Sequence, residues 1–382
     1  MKSAPPIRAA IIGISGYGQV HLGLAREAAV RGLQLTAAVV INPAEEAARV
    51  AGLRAAGCRL YDDYKTMLAA ERGRLDLCLI PTGIAWHGRM TVAALRAGAN
   101  VLVEKPLAGS TAEIAPIRAA AAAAKRFVAV GFQDIYEPAA HALKRRLLAG
   151  AIGRLREIRM LGLWPRPPEY FSRNTWSGRL RADGRPVLDS PLNNAFAHFV
   201  NLALFFAGTR FHEAAAATAV EGMLWRTNPI ESFDTGVVRA RTAAGVRLWF
   251  GASHACATTR EPELLLIGDA GRACWRHEAN CVIEPKSGSV ERFALPPTGD
   301  SRSAMMRAVL DRLRDPRAFI CTPALARPHT ALIERLHAVA PIRPAPGESV
   351  LRPRDGKGPL ILCSPEAERR LCAAYLDGTL PV

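Results

Sequence analysis

Short, largely apolar runs alternate with stretches of helical periodicity through the first third of the chain. Ile7–Ile12, residues 33–41, residues 75–80 and Asn100–Val103 read as strands buried on both faces. Residues 21–31, residues 44–51, Tyr64–Ala70 and residues 86–97 have helical composition between them, and a helix over 111–125 and a strand over 127–131 complete the series. Strand and helix in strict alternation predict a doubly wound parallel sheet, an α/β domain spanning residues 1–130.

The pattern then changes. A helix over 138–149 leads to a strand at Leu155–Leu163, and a Pro/Arg/aromatic loop follows from 164 to 187. A strongly apolar helix is predicted over 192–207, with Gly208 in the position of a C-cap. Strand-forming runs follow without intervening helices, including 233–242, 246–255 and 263–267, with turns at Gly245 and at 268–271. Helices over 302–314, Pro323–Val339 and 365–376 close the chain around a proline-rich connector at 341–359. Residues 131–382 therefore read as one α+β domain with an open, largely antiparallel sheet, the tail 341–382 included. No internal repeat is present.

Composition narrows the classes. At 382 residues and 49% hydrophobic, the chain is long enough for two domains and too apolar for disorder. No run reaches the roughly 18–20 apolar residues of a membrane span. The apolar start at 9–18 lacks a cleavage-site pattern and runs into a glycine turn, so the expectation is a cytoplasmic protein with no membrane partner. Eight dispersed cysteines, without C-x-x-C pairs or zinc spacing, read as reduced thiols, and no metal signature is present. The net charge of +16 raises the question of nucleic acid, yet only seven of the 50 basic residues are lysine. The arginines are spread along the whole chain and form no block with interleaved aromatics, so no nucleic-acid partner is expected. The charge suits an anionic ligand such as a dinucleotide.

Gly13-Ile14-Ser15-Gly16-Tyr17-Gly18 follows the first strand and opens a helix. In a dinucleotide fold the first glycine makes the tight turn, the second admits the pyrophosphate, and the third lets helix pack on strand. Ser15 stands where the second glycine is usual, with Gly16 and Tyr17 beside it. At the end of the second strand an acid would normally hold the adenosine ribose; here it is Asn42, which can still hydrogen-bond a ribose but does not repel a 2′-phosphate as a carboxylate would. NAD and NADP both stay open, with Arg49 the nearest basic residue.

Val101-Leu102-Val103-Glu104-Lys105-Pro106-Leu107 resembles the E-K-P signature of the Gfo/Idh/MocA oxidoreductases, the family of glucose–fructose oxidoreductase and inositol dehydrogenase. The likeness extends to the glycine turn and His21, and to Thr82, His87, Ala94-Leu95 and Ala97-Gly98. It continues through Gly131-Phe132, Tyr136 and Pro138 to His198-Phe199-Val200-Asn201. What the resemblance implies is hydride transfer between NAD or NADP and a carbinol or carbonyl of a sugar, polyol or sugar acid. Lys105 would approach the reacting oxygen, and His198 would serve as acid/base. The cleft would lie between the domains, and an exposed sheet face would mediate a homodimer or homotetramer. Thr82, His87 and Glu104 would join the cofactor site.

The departures are specific. Asn194 and Asn201 stand at helical spacing around His198 where the family often has acids; Asp189 is the nearest remaining carboxylate. Gly83 replaces a common proline, and Ile135 a usual arginine. In the loop after the second domain's first strand, Trp164, Arg166, Tyr170, Arg173 and Trp176 suit either stacking on a sugar ring or a hydrophobic latch or oligomer contact. Beside the dehydrogenase stand two other readings. One is a dinucleotide-sensing protein without turnover; the other is an enzyme using a tightly held cofactor for transient oxidation.

Overall fold

The computed structural model describes residues 5–381. The chain forms two compact units, Met1–Tyr136 with Gly299–Pro323, and Glu137–Thr298 with Ala324–Val382.

The first unit runs β1 (Ile7–Ile12), α1 (Gly18–Glu27), β2 (Leu33–Val39), α2 (Ala47–Ala55), β3 (Arg59–Tyr61), α3 (Tyr64–Ala70), β4 (Leu77–Ile80), α4 (Ile84–Arg96), β5 (Asn100–Val103), α5 (Ile114–Ala124) and β6 (Val128–Val130). Its strands lie in the order β3-β2-β1-β4-β5-β6, all parallel. All four residues of β4 are buried, as a strand covered on both faces requires. The short edge strand β3 was absent from the sequence reading; three residues carry too little pattern to signal a strand.

The second unit begins with α6 (Pro138–Leu148), β7 (Leu155–Leu163), a single turn α7 (Glu169–Ser172) and the two-residue strands β8 (Arg181–Ala182) and β9 (Arg185–Pro186). After α8 (Ala197–Ala207) come β10 (Ala217–Arg226), β11 (Thr235–Thr242), β12 (Arg247–Ser253), β13 (Arg260–Gly268), β14 (Gly271–Arg276), β15 (Asn280–Pro285) and β16 (Glu291–Ala294). The chain continues through α9 (Thr298–Arg314), α10 (Pro323–Val339), β17 (Ile342–Pro344), β18 (Val350–Pro353), β19 (Leu360–Cys363) and α11 (Pro365–Asp377). Nine strands form one sheet, β16-β15-β14-β13-β7-β12-β11-β10-β17, parallel only at β7–β12 and β10–β17.

Helix α8 packs on one face of that sheet. The contact is so close that a Cβ on Gly162 would lie 2.3 Å from the Phe196 ring. The opposite face was expected to be exposed. Its centre is covered instead by α11, whose Leu371, Ala374 and Tyr375 form a buried cluster with Leu161, Leu163, Val237 and Trp249. Trp249 Nε1 also donates to the Thr379 carbonyl at 2.6 Å.

The division of the chain differs from the boundary near residue 130. Helix α9 belongs with the first unit, where Asp311 pairs with Arg31 at 2.5 Å and Ser303 donates to Glu27 at 2.8 Å. Beyond α9, the Val130 N–H donates to the Cys321 carbonyl, and Phe319 packs edge-on against Tyr136. All eight cysteines are free thiols. Among the described residues no helix is long and apolar enough to cross a membrane, and no group of three or more His, Cys, Asp or Glu could hold a metal ion.

Candidate functional site

In the first unit the predicted cofactor residues gather at the C-terminal edge of the parallel sheet. Gly13 takes φ 91° and Gly16 φ 52°, the left-handed backbone that a tight turn out of β1 demands. Gly18 has no room for a side chain, since its Cβ would sit 2.5 Å from the Gly13 carbonyl oxygen. Gly18 N–H is satisfied by Ser15 O, while the N–H groups of Ser15, Gly16 and Tyr17 donate to no acceptor among the described residues. Those donors stand at the N-terminus of α1, where the helix dipole favours an anion. The residues present thus fit a dinucleotide pyrophosphate. Thr82, after β4, lies against this turn, its Cγ2 3.6 Å from the position a Gly13 Cβ would take.

At the end of β2, Ser15 Oγ donates to Asn42 Oδ1 at 3.3 Å, and Asn42 Nδ2 donates to Glu45 Oε2 at 2.5 Å. Glu46 pairs with Arg49. Hydrogen bonds from Ser15 and then Arg49 hold the Glu46 carboxyl below the usual range. The loop therefore carries two carboxylates, although Asn42 itself has none.

Lys105 is half-buried just beyond β5. Its N–H donates to Glu104 Oε2 at 3.1 Å, and His21 Nε2 meets Glu104 Oε1 at 2.9 Å. Burial alone would raise the Glu104 carboxyl, but the His21 hydrogen bond and the charges of His21 and Lys105 leave it below the ordinary value. Glu104 is thus a buried anchor under the E-K-P turn. His87 is buried too, with Nδ1 2.7 Å from Pro106 O and Nε2 2.9 Å from Thr82 O. Desolvation lowers its pKa against the opposing pull of the two carbonyls, and a neutral ring, with a single N–H, donates to only one of them at a time. Sequence reasoning gave both residues to the cofactor; their side chains are spent on the scaffold that positions Lys105 and Thr82.

The second unit brings together Asp189, Asn194 and the aromatic loop. Asp189 accepts from Gly178 N–H at 2.6 Å and from Asn194 Nδ2 at 3.0 Å. Asn194 lies in the turns before α8, so it does not share a helical face with His198; the helix begins only at Ala197. His198 is half-buried at the start of α8. Asn201 is fully buried, and its amide donates to the Leu325 carbonyl at 3.1 Å. It fastens α8 to α10, a structural use of the amide that its assignment to substrate did not anticipate.

The loop divides in two. Trp164 stacks on Phe196 at 4.7 Å and donates from Nε1 to Glu261 at 3.0 Å, as a latch would. Arg166 and Arg173 instead lie over the Tyr170 ring at 5.0 and 3.5 Å, and Arg173 also faces Trp176 at 5.7 Å. Buried His254, just beyond β12, faces this ladder. Its Nδ1 hydrogen-bonds the Trp164 carbonyl at 2.8 Å, and burial together with the Arg166 charge drives its pKa down to about 3. Tyr170, Asp189, Asn194 and His254 line a small cavity of about 10 Å³, room for one hydroxyl-sized group. A larger cavity of about 570 Å³ lies on the sheet between β7, β11 and β12, lined by none of the predicted residues.

Residues 7–132 match the model of an oxidoreductase family with an NAD-binding Rossmann fold, GFO_IDH_MocA, and residues 140–274 match the GFO/IDH/MocA C-terminal domain. A dTDP-3,4-didehydro-2,6-dideoxy-alpha-D-glucose 3-reductase of Streptomyces violaceoruber is 27% identical over 320 residues, 81% of this chain and 86% of the relative. Inositol 2-dehydrogenase 4 of Saccharopolyspora erythraea is 32% identical over 149 residues, 39% of this chain and 43% of that protein. The WlbA dehydrogenase from Bordetella pertussis, solved with NADH and UDP-GlcNAcA, has a similar fold with a TM-score of 0.71. Its sequence identity is 20%, over 87% of this chain and 96% of the other.

Proposed function

Since the chain belongs to the Gfo/Idh/MocA oxidoreductase family, we propose that it transfers hydride between a nicotinamide dinucleotide and a carbinol or carbonyl carbon of a sugar, polyol or sugar acid. The observation that carries this reading is the row of unengaged N–H groups at Ser15, Gly16 and Tyr17, on the sheet edge that also presents Lys105. Relatives named as a sugar-nucleotide reductase and an inositol dehydrogenase support the substrate class.

The bound dinucleotide would supply the hydride acceptor or donor. The chain's residues do the rest. Removing hydride from a carbinol requires its hydroxyl proton to leave, which His198 would accept. The Lys105 ammonium would stabilise negative charge developing on the same oxygen. The Arg166–Tyr170–Arg173 ladder and His254 would orient the remaining hydroxyls; a neutral His254 at physiological pH offers an acceptor to a donating hydroxyl. Glu45 beside Asn42, and Arg49 already paired with Glu46, favour NAD over NADP, because a 2′-phosphate would meet an acid with no available guanidinium. A cytoplasmic homodimer or homotetramer completes the proposal, checked by light scattering of the purified chain.

The test is cofactor reduction with a carbohydrate panel, in native protein and Lys105→Met. Substrate-dependent NADH formation that the variant loses supports the reading; native turnover with NADP alone would overturn the cofactor preference. Dinucleotide binding without turnover is the second reading, favoured by the amide at 194. Cofactor that co-purifies and never accumulates as NADH would point to transient oxidation.

A further inference from the structure

The glycine turn meets a residue from far along the chain. Helix α9 lies against the first unit, held by Ser303 to Glu27, by Asp311 to Arg31 and by Arg314 Nη2 to the Arg31 carbonyl at 2.7 Å. These contacts fix Arg302, near its start, with the guanidinium carbon 5.6 Å from the centre of the Tyr17 ring. Arg302 Nε reaches Gln133 Oε1 at 3.3 Å, a neutral acceptor. No carboxylate among the described residues forms an ion pair with Arg302. The half-buried guanidinium also acts on the Tyr17 side chain by hydrogen bond and charge, and an anion beside it would make charge-assisted hydrogen bonds with its other donors. Tyr17 is also one of the three residues whose N–H groups are unengaged.

We propose that Arg302 is the charged partner of the dinucleotide's pyrophosphate, delivered to the glycine turn by α9 and steered there by the Tyr17 ring. The inference rests on the dinucleotide-binding reading. It accounts for why the first unit needs a helix from the far end of the chain: the turn supplies neutral N–H donors, and α9 supplies the positive charge. A guanidinium presents parallel donors that match phosphate oxygens, which a neutral turn lacks. Glu104 and Asp134 also act electrostatically on Tyr17, and Arg302 is the positive group that acts on it.

Calorimetric titration of the full chain with NADH, ADP-ribose and adenosine tests this. Arg302→Gln should weaken NADH and ADP-ribose alike by about tenfold or more, leave adenosine unchanged, and flatten the salt dependence of NADH binding. Arg302→Lys, which keeps the charge, should retain that salt dependence and most of the affinity, and guards against a Gln variant that misfolds. Unchanged NADH affinity in a folded Arg302→Gln protein overturns the proposal, as does equal loss of adenosine. If the native chain binds neither NADH nor ADP-ribose, the functional reading itself fails.

Discussion

Lys105 and His198 are prepared differently by their surroundings, and substitutions should expose that. Lys105 sits on a buried brace of Glu104, His21 and His87, so Lys105→Met should leave dinucleotide affinity nearly intact while lowering turnover about 100-fold or more. His198→Ala should cost about as much. It should also remove the acidic limb of kcat/KM for oxidation, because protonated imidazole cannot accept the hydroxyl proton. A limb that survives in a residually active variant would move the base elsewhere. Lys144 gives a residue-scale test of stability. Fully buried, it donates to the carbonyls of Phe205 at 2.5 Å, Phe206 at 3.5 Å and Gly208, the open end of α8. Burial lowers its pKa from 10.5 to about 8. The unfolded chain then holds more protons between pH 8 and 10.5, so stability should rise with pH across that window and stay flat just below it. Denaturant midpoints from pH 7 to 10 would show the rise, and Lys144→Met should abolish it.

At the scale of elements, α8 depends on polar fastenings as much as on its apolar length. Asn201→Ala removes one buried hydrogen bond to the Leu325 carbonyl and should cost about 0.5–1.5 kcal/mol in chemical denaturation, without altering the acidic limb of the pH profile. A changed limb would restore Asn201 to the site. Helix α8 also marks where pattern reading runs short. Apolar periodicity extends back to Leu192, but Asn193 donates to the carbonyls of Val187 and Leu188, holding residues 190–196 as turns. At its other end Gly208 has φ −66° and ψ 147°, not the left-handed cap expected; it is glycine because a Cβ would lie 2.1 Å from the Glu213 carbonyl oxygen. The Rossmann strands β1 and β5 match the sequence reading to the residue, since each is apolar and buried but for one polar residue, Arg8 and Asn100. Strand β10 has a mixed burial pattern that hides it. The glycine turn and the E-K-P segment were legible because local chain geometry dictates their residues. Arg302, Glu45 and the cover of α11 are tertiary facts that no local window contains.

At the scale of the whole molecule, the chain passes between its two units three times, and the first unit is completed only by residues 299–323. A fragment ending at Tyr136 lacks the pairing of Arg31 with Asp311 and the Cys321 carbonyl that the Val130 N–H bonds. It should therefore melt lower and less cooperatively than the first unit within the full chain, measured by circular dichroism and amide exchange. The central claim is that this first unit holds a nicotinamide dinucleotide at the turn from Gly13 to Gly18. Thermal unfolding with and without NADH and NADPH tests it most directly, since a ligand bound only to the native state raises the midpoint. The midpoint should rise with ligand concentration, more with NADH, and the rise should disappear in a folded Gly13→Val variant; a folded native chain indifferent to both dinucleotides would show that the turn holds neither.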